Sequence, residues 1–304
     1  MTENLDANPP KKMEQNEYKY TEITKWIPYG GTLFYTRLYK ITESMPKAVL
    51  VLVHGYGEYS DRYENLLRVL AKYGIQGFAF DLRGFGRTAW KNGEFGHLGT
   101  MHELYGYLKY MIEINTIPDV PTFLFGHSMG GGISLCFCGY PEYGKLVSGV
   151  IASAPAISFN KRLGYSPIKQ RFISAMSHLI PSFPISRELN ETHITSNVEE
   201  LERNRKSLYI FGILSVGSLT SLANERKNCL NKNTKTYATP VLIIHGKGDK
   251  LTVSKGSEEF ISKLPSNLDK KLVLFDSEYH EMHMEKEFSE TVSLLYKDWI
   301  LERS

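Results

Sequence analysis

Cysteine is scarce, with three residues in 304: Cys136, Cys138 and Cys229. They form no C-x-x-C pair and no Cys/His cluster at ligand spacing, so neither a disulfide framework nor a zinc site is expected. Cys136 and Cys138 fall two residues apart in an expected helix, which places them on different faces and keeps them from pairing. Three unpaired thiols suit a reducing compartment. Excess charge of one sign is also missing. Lys and Arg number 36 against 33 Asp and Glu, and no long basic block occurs, so nucleic-acid binding has no electrostatic support. The longest apolar stretch, residues 208–216, is too short to span a bilayer. Residues 1–15 are polar, contain Pro9-Pro10-Lys11-Lys12 and lack the apolar core of a secretory signal. No internal repeat is present. The expectation is a cytoplasmic, non-integral protein with a disordered arm over residues 1–20.

What the chain does have is an alternation of strand-like and helix-like segments. Strands are expected over 33–39, 48–53, 77–80, 121–125, 147–152, 241–244 and 271–275. Helices are expected over 63–73, 101–114, 129–139, 257–264 and 287–301. The run Ala48-Val-Leu-Val-Leu-Val53 is continuously apolar, as a strand buried on both faces requires. Such alternation predicts an α/β fold, a mostly parallel central sheet with helices on both faces. The core would comprise residues 21–155 and 238–304. The interruption, 156–237, shows no strand pattern; Pro181 and Pro184 split it, and 207–223 is apolar nearly all round. An insertion at the C-terminal edge of such a sheet lies over the ligand crevice, so 156–237 reads as a helical lid.

One segment carries chemistry. The expected strand 121–125 runs into Gly126-His127-Ser128-Met129-Gly130, a G-x-S-x-G match, followed by an expected helix. Three fixed positions match by chance about once in ten chains of this length, so the strand–turn–helix context decides. In that context Ser128 sits at the tip of a sharp turn with its hydroxyl exposed and a helix N-terminus behind it, which favours developing negative charge.

A serine hydroxyl needs a base, and the base needs an orienting carboxylate. In this kind of turn the chain order is serine, acid, histidine. After 147–152 comes Ser153-Ala-Pro155, with no acid; after 241–244 comes His245-Gly-Lys-Gly-Asp249, which makes Asp249 the acid. Only His280 and His283 follow Asp249. His280 lies nearer the end of the preceding strand and is the expected base. The H-E-x-H spacing there is not the H-E-x-x-H of a zinc site, and neither metal nor cofactor is expected. The oxyanion hole needs two backbone N–H donors. Met129, directly after the nucleophile, supplies one, and Tyr56 in His54-Gly-Tyr-Gly-Glu58 supplies the other. His54 and His127 read as loop-fixing and packing residues, and Asp81 and Arg83 as braces.

With these residues in place the chain resembles the monoacylglycerol lipases, especially the fungal ones, within the serine aminopeptidase/lysophospholipase-like group of α/β-hydrolases. The resemblance runs from about Trp26 to Trp299. It is carried by His54-Gly-Tyr-Gly-Glu-Tyr-Ser-Asp-Arg-Tyr63, Phe80-Asp-Leu-Arg-Gly-Phe-Gly86, Gly126-His-Ser-Met-Gly-Gly131, His245-Gly-Lys-Gly-Asp249 and Tyr279-His-Glu-Met-His283. It implies an α/β-hydrolase fold with a lid over an acyl channel, a monoacylglycerol substrate and release of glycerol through a polar end; from the apolar surface of the lid, its peripheral contact with a membrane or lipid-droplet surface is expected as well. It also assigns Glu58, Arg62 and His283 to the glycerol end. Two departures stand out. Residues 190–235 differ from the usual lid, and Tyr56 replaces a small residue in the oxyanion loop. The expected reaction is hydrolysis of monoacylglycerol through an acyl-enzyme on Ser128. The competing readings are a lysophospholipase or general carboxylesterase with the same three residues, and a hydrolase-fold binding protein without catalysis.

Overall fold

In the computed structural model, residues 2–3, 17–159 and 166–304 are described. The strands in chain order are β1 (Thr2–Glu3), β2 (Tyr20–Tyr29), β3 (Thr32–Ile41), β4 (Ala48–Val53), β5 (Ile75–Phe80), β6 (Thr122–His127), β7 (Gly149–Ser153), β8 (Pro184–Ser186), β9 (Ile213–Ser215), β10 (Val241–Gly246) and β11 (Lys270–Phe275). Nine form the central sheet in the order β1-β11-β10-β7-β6-β4-β5-β3-β2. From β1 to β5 all neighbours pair in parallel, and β3 alone runs against the rest. The pair β2–β3 is a hairpin closed by Gly30 and Gly31 at φ 56° and 81°, the mirror-image turn that glycine enters freely. Most of the expected arm lies outside the described residues. Within 17–20, the Tyr18 amide donates to Lys72 O, and β2 begins at Tyr20.

The helices are α1 (Glu64–Lys72), α2 (Gly86–Asn92), α3 (Met101–Glu113), α4 (Met129–Cys138), α5 (Pro141–Gly144), α6 (Pro167–Leu179), α7 (Val198–Lys206), α8 (Val216–Asn231), α9 (Ser254–Lys263) and α10 (Ser289–Leu301). Strand β4 shows why helices cover both faces. Its alternate residues Val49, Val51 and Val53 join one core with α3, α4 and α9, while Leu50 and Leu52 join another with α1 and α10. A strand buried on both sides has no solvated face, which is why its sequence shows no alternation.

The described part of the stretch between β7 and β10 folds mostly as helices, with an antiparallel ribbon of β8 and β9 that the sequence did not announce. The 207–223 stretch is therefore not one helix: it passes through β9 before α8 begins. Helix α8 packs on α3 and α4, and Tyr105 donates to Glu225 Oε1 at 3.0 Å. Helix α6 packs on α8. The loops after β4, β6, β10 and β11 all emerge at the C-terminal ends of their strands, where an open α/β sheet gathers its functional residues.

Candidate active site

Strand β6 ends at His127 and helix α4 starts at Met129, so Ser128 makes the whole turn. Its backbone sits at φ 52°, ψ −116°, a region that side chains other than glycine rarely occupy. The conformation persists because its surroundings fix it. The Ser128 amide donates to Ser153 O at 2.9 Å, and Ser128 O accepts from Gly132 N at 3.0 Å and Ala156 N at 2.8 Å. Gly130 is required for the same reason, since a Cβ there would collide with the Val53 and His54 carbonyl oxygens.

Ser128 Oγ donates to His280 Nε2 at 2.7 Å. His280 Nδ1 donates to Asp249 Oδ2 at 2.6 Å. The second bond fixes the tautomer, leaving the Nε2 lone pair toward the serine. Asp249 is itself held by Leu251 N at 2.8 Å, Thr252 N at 3.1 Å, Thr252 Oγ1 at 3.0 Å and His245 Nε2 at 3.2 Å. Burial alone would raise the Asp249 carboxyl; the charge of His280 and the bonds from His245 and His280 hold it well below the ordinary carboxylate range. Burial alone would likewise lower His280. The Asp249 charge and hydrogen bond outweigh it, with Glu281 and Glu58 adding to them, and the imidazole is held above its ordinary value.

The loop after β4 lies against the serine: a Cβ on Gly55 would come 3.2 Å from Ser128 Cβ. His54 fixes the loop by donating from Nδ1 to Gly55 O at 2.8 Å and accepting Leu82 N at Nε2 at 2.9 Å. Tyr56 directs its side chain away along the insertion, donating to Arg187 O at 2.9 Å. Asp81 braces the same region by accepting from Ser60 N and Arg87 N. Arg83 pairs with Glu94 and Glu103.

Glu58 and Arg62 are buried in one polar cluster. Glu58 Oε1 accepts from Gly55 N at 2.5 Å and Tyr63 Oη at 2.6 Å, and Oε2 takes Arg62 at 2.6 Å. Arg62 grips Glu281 through two parallel bonds of 2.6 and 2.7 Å. Glu281, next to His280, was not singled out from the sequence. The signal available was chemical: an arginine so deep in the fold needs more than one carboxylate to offset its desolvation.

His283 lies among aromatic rings, stacked on Tyr63 at 4.9 Å and edge-on to His127 at 4.8 Å. Neither of its ring nitrogens has a hydrogen-bond partner among the described residues. Burial, then the nearby Arg62 and His280 charges, push it down to about 3, so it is neutral at any working pH. It borders a cavity of about 500 Å³ beside α1 and α10, lined also by Asn65, Leu66, Val69, Asn197 and Ser293 but not by Ser128 or His280. The structure thus brings Ser128, His280 and Asp249 into hydrogen-bond contact, sets Gly55 beside the serine, and groups Glu58, Arg62 and His283 close to His280. The three cysteines are buried and free. Among the described residues, no group of three or more His, Cys, Asp or Glu could hold a metal ion.

Residues 44–287 match the serine aminopeptidase, S33 family. Over 258 residues the chain is 30% identical to an uncharacterized abhydrolase domain-containing protein of Dictyostelium discoideum, a match that covers 85% of this chain and 27% of that protein. Over 265 residues it is 30% identical to the monoglyceride lipase of Saccharomyces cerevisiae, covering 83% of each chain. Among solved structures, a soluble variant of monoglyceride lipase from Saccharomyces cerevisiae in complex with a substrate analog matches with a TM-score of 0.83 at 24% identity, over 98% of this chain and 99% of that one. The fold is the α/β-hydrolase fold, the class expected from the sequence.

Proposed function

The chain belongs to the serine aminopeptidase, S33 family of α/β-hydrolases, and from that premise we propose that it is a serine esterase cleaving monoacylglycerol to a fatty acid and glycerol. The carrying observation is the hydrogen-bonded path from Ser128 through His280 to Asp249. The likeness to a monoglyceride lipase over most of both chains directs the choice of substrate.

In this reading Ser128 Oγ attacks the ester carbonyl while His280 Nε2 takes its proton. Asp249 holds the imidazole and stabilises the imidazolium that forms. The tetrahedral oxyanion accepts from the Met129 and Tyr56 amides, the first of which belongs to the helix N-terminus left without intrahelical partners. The intermediate collapses, the bond to the glycerol oxygen breaks, and His280 returns its proton to that oxygen. Water, deprotonated by His280, then attacks the acyl-enzyme and releases the fatty acid, and Ser128 recovers its proton. Glu58 and Arg62 frame the glycerol end by holding the oxyanion loop and the base loop together. His283 supplies a neutral imidazole, one donor and one acceptor, which suits a hydroxyl that is itself both.

Residues 156–237 act as the lid. Support comes from α6 and the turn after it, where Ile168, Phe172, Leu179, Ile180 and Phe183 are exposed together. A patch of that kind fits a lipid–water surface. No helix among the described residues is long and apolar enough to cross a membrane, so contact with lipid would be peripheral. The test is a panel of monooleoylglycerol, di- and trioleoylglycerol, lysophosphatidylcholine and p-nitrophenyl butyrate. The expected result is the highest kcat/KM on monooleoylglycerol. A preference for the lysophospholipid would replace the substrate while keeping the serine chemistry.

A further inference from the structure

The amide of the base itself is not satisfied by the core. His280 N donates to Ile194 O at 3.1 Å and His193 O at 3.3 Å, and Glu281 N donates to Ile194 O at 2.9 Å. Both acceptors belong to the insertion. The next insertion residues continue the contact through a single buried carboxylate. Thr195 Oγ1 and Ser196 N donate to Glu285 Oε1 at 2.5 and 2.7 Å, and Ser196 Oγ donates to Glu285 Oε2 at 2.5 Å. Asn197 Nδ2 donates to Met284 O at 3.1 Å.

Glu285 is 3% exposed and Thr195 1%. Glu285 closes the turn that carries His280, its amide donating to Glu281 O at 3.2 Å. Its carbonyl accepts from Ser289 N at 2.8 Å at the root of α10, a helix held in the core by Tyr296 and Trp299. A flap that only covered the site would have no reason to bury donors against the base loop, because each unpaired donor or acceptor there costs about 1–3 kcal/mol.

Resting on the reading of Ser128 and His280 as nucleophile and base, we propose that Glu285 is a positioning residue. It clamps residues 193–197 of the insertion to the turn bearing His280, so that the insertion sets the base as well as covering the site. The insertion then has a fixed middle at 193–197 and a separate part, α6, that meets lipid. On the far side of the same turn, Glu281 continues through Arg62 and Glu58 to Gly55 N, which links the base loop to the oxyanion loop.

The test uses the full chain and the second-order rate constant for labelling by a small fluorophosphonate, a reaction that needs the serine and its base but no acyl channel. Glu285→Ala should slow labelling about tenfold or more, since small misplacements of a catalytic group have effects of that order. Glu285→Gln, which keeps one acceptor oxygen, should restore part of the rate. Ser196→Ala removes one donor at an exposed position where water can take its place, and should slow labelling about two- to fivefold with a native circular dichroism spectrum. On p-nitrophenyl butyrate the loss should appear in kcat with KM nearly constant. Labelling of Ser196→Ala and Glu285→Gln at the wild-type rate, or a loss seen only on long-chain esters, would overturn the clamp and leave the functional reading intact. A wild-type protein that the probe does not label would instead remove the functional reading itself.

Discussion

At φ 52° and ψ −116°, Ser128 keeps a conformation that its own side chain disfavours, and the site depends on neighbours that hold it there. The residues around the base tune it in the same way. In the proposed mechanism deprotonated His280 is the active form, and its imidazole is held above the ordinary value of about 6.5, against burial, by Asp249, Glu281 and Glu58. The acid limb of kcat/KM should therefore have its midpoint above that value. Of the other groups facing His280, His127 and His283 are pushed down by burial and stay neutral. Glu281→Gln removes a negative charge that favours the imidazolium, so the acid limb should move to lower pH. A limb that stays in place would show that Arg62 already cancels that charge. His283→Ala should raise KM for monooleoylglycerol while sparing a p-nitrophenyl ester. Losing one hydrogen bond to a hydroxyl costs about 0.5–1.5 kcal/mol, or roughly two- to twelvefold. A fall in kcat on both substrates would place His283 with the proton-transfer groups instead. The meeting of Ser128, Asp249 and His280 was legible because the chemistry proposed for them fixes their order and their place after strands. Glu281 and Glu285 were not, because a buried carboxylate looks like any surface glutamate until its partners from distant segments are brought to it.

At the scale of elements, legibility followed length and pattern. Strand β4 was readable as six apolar residues in a row. Of the hairpin β2–β3 only the inner strand was, as 33–39, although Gly30-Gly31 is the two-residue connection that such hairpins use. Its outer strand sits at the sheet edge and is mostly half-buried or exposed, so it offers little apolar signal. The ribbon β8–β9 has three residues a side, too few for an alternation to show. Helix α6 would mislead any periodicity argument. Ile168, Phe172 and Leu179 fall on one stripe, as a buried face would, yet they are 81%, 65% and 82% exposed. That inversion gives the proposed lid a direct test. The double substitution Ile168→Ser with Phe172→Ser removes surface apolar area and should leave the melting temperature unchanged. Turnover of monooleoylglycerol presented in vesicles should fall about threefold or more, while p-nitrophenyl butyrate in solution should be unaffected. Equal losses on both substrates would make α6 a structural helix.

Across the whole molecule, the parallel sheet brings four loops to one edge. One carries Ser128, one Asp249, one His280 and one the Gly55–Tyr56 turn, from chain positions more than 200 residues apart at the extremes. The insertion leaves that edge after β7 and returns before β10, touching the base loop between. Sequence order and strand ends were enough to anticipate this plan. The side-chain traffic between insertion and core was beyond them, because it depends on packing rather than spacing. The most direct test of the central claim is glycerol release from monooleoylglycerol, measured for the wild-type chain beside Ser128→Ala. The expected result is enzymatic turnover by the wild type and a fall of at least about a thousandfold for Ser128→Ala, with an unchanged circular dichroism spectrum. Glycerol release at comparable rates by both proteins, or by neither, would contradict it.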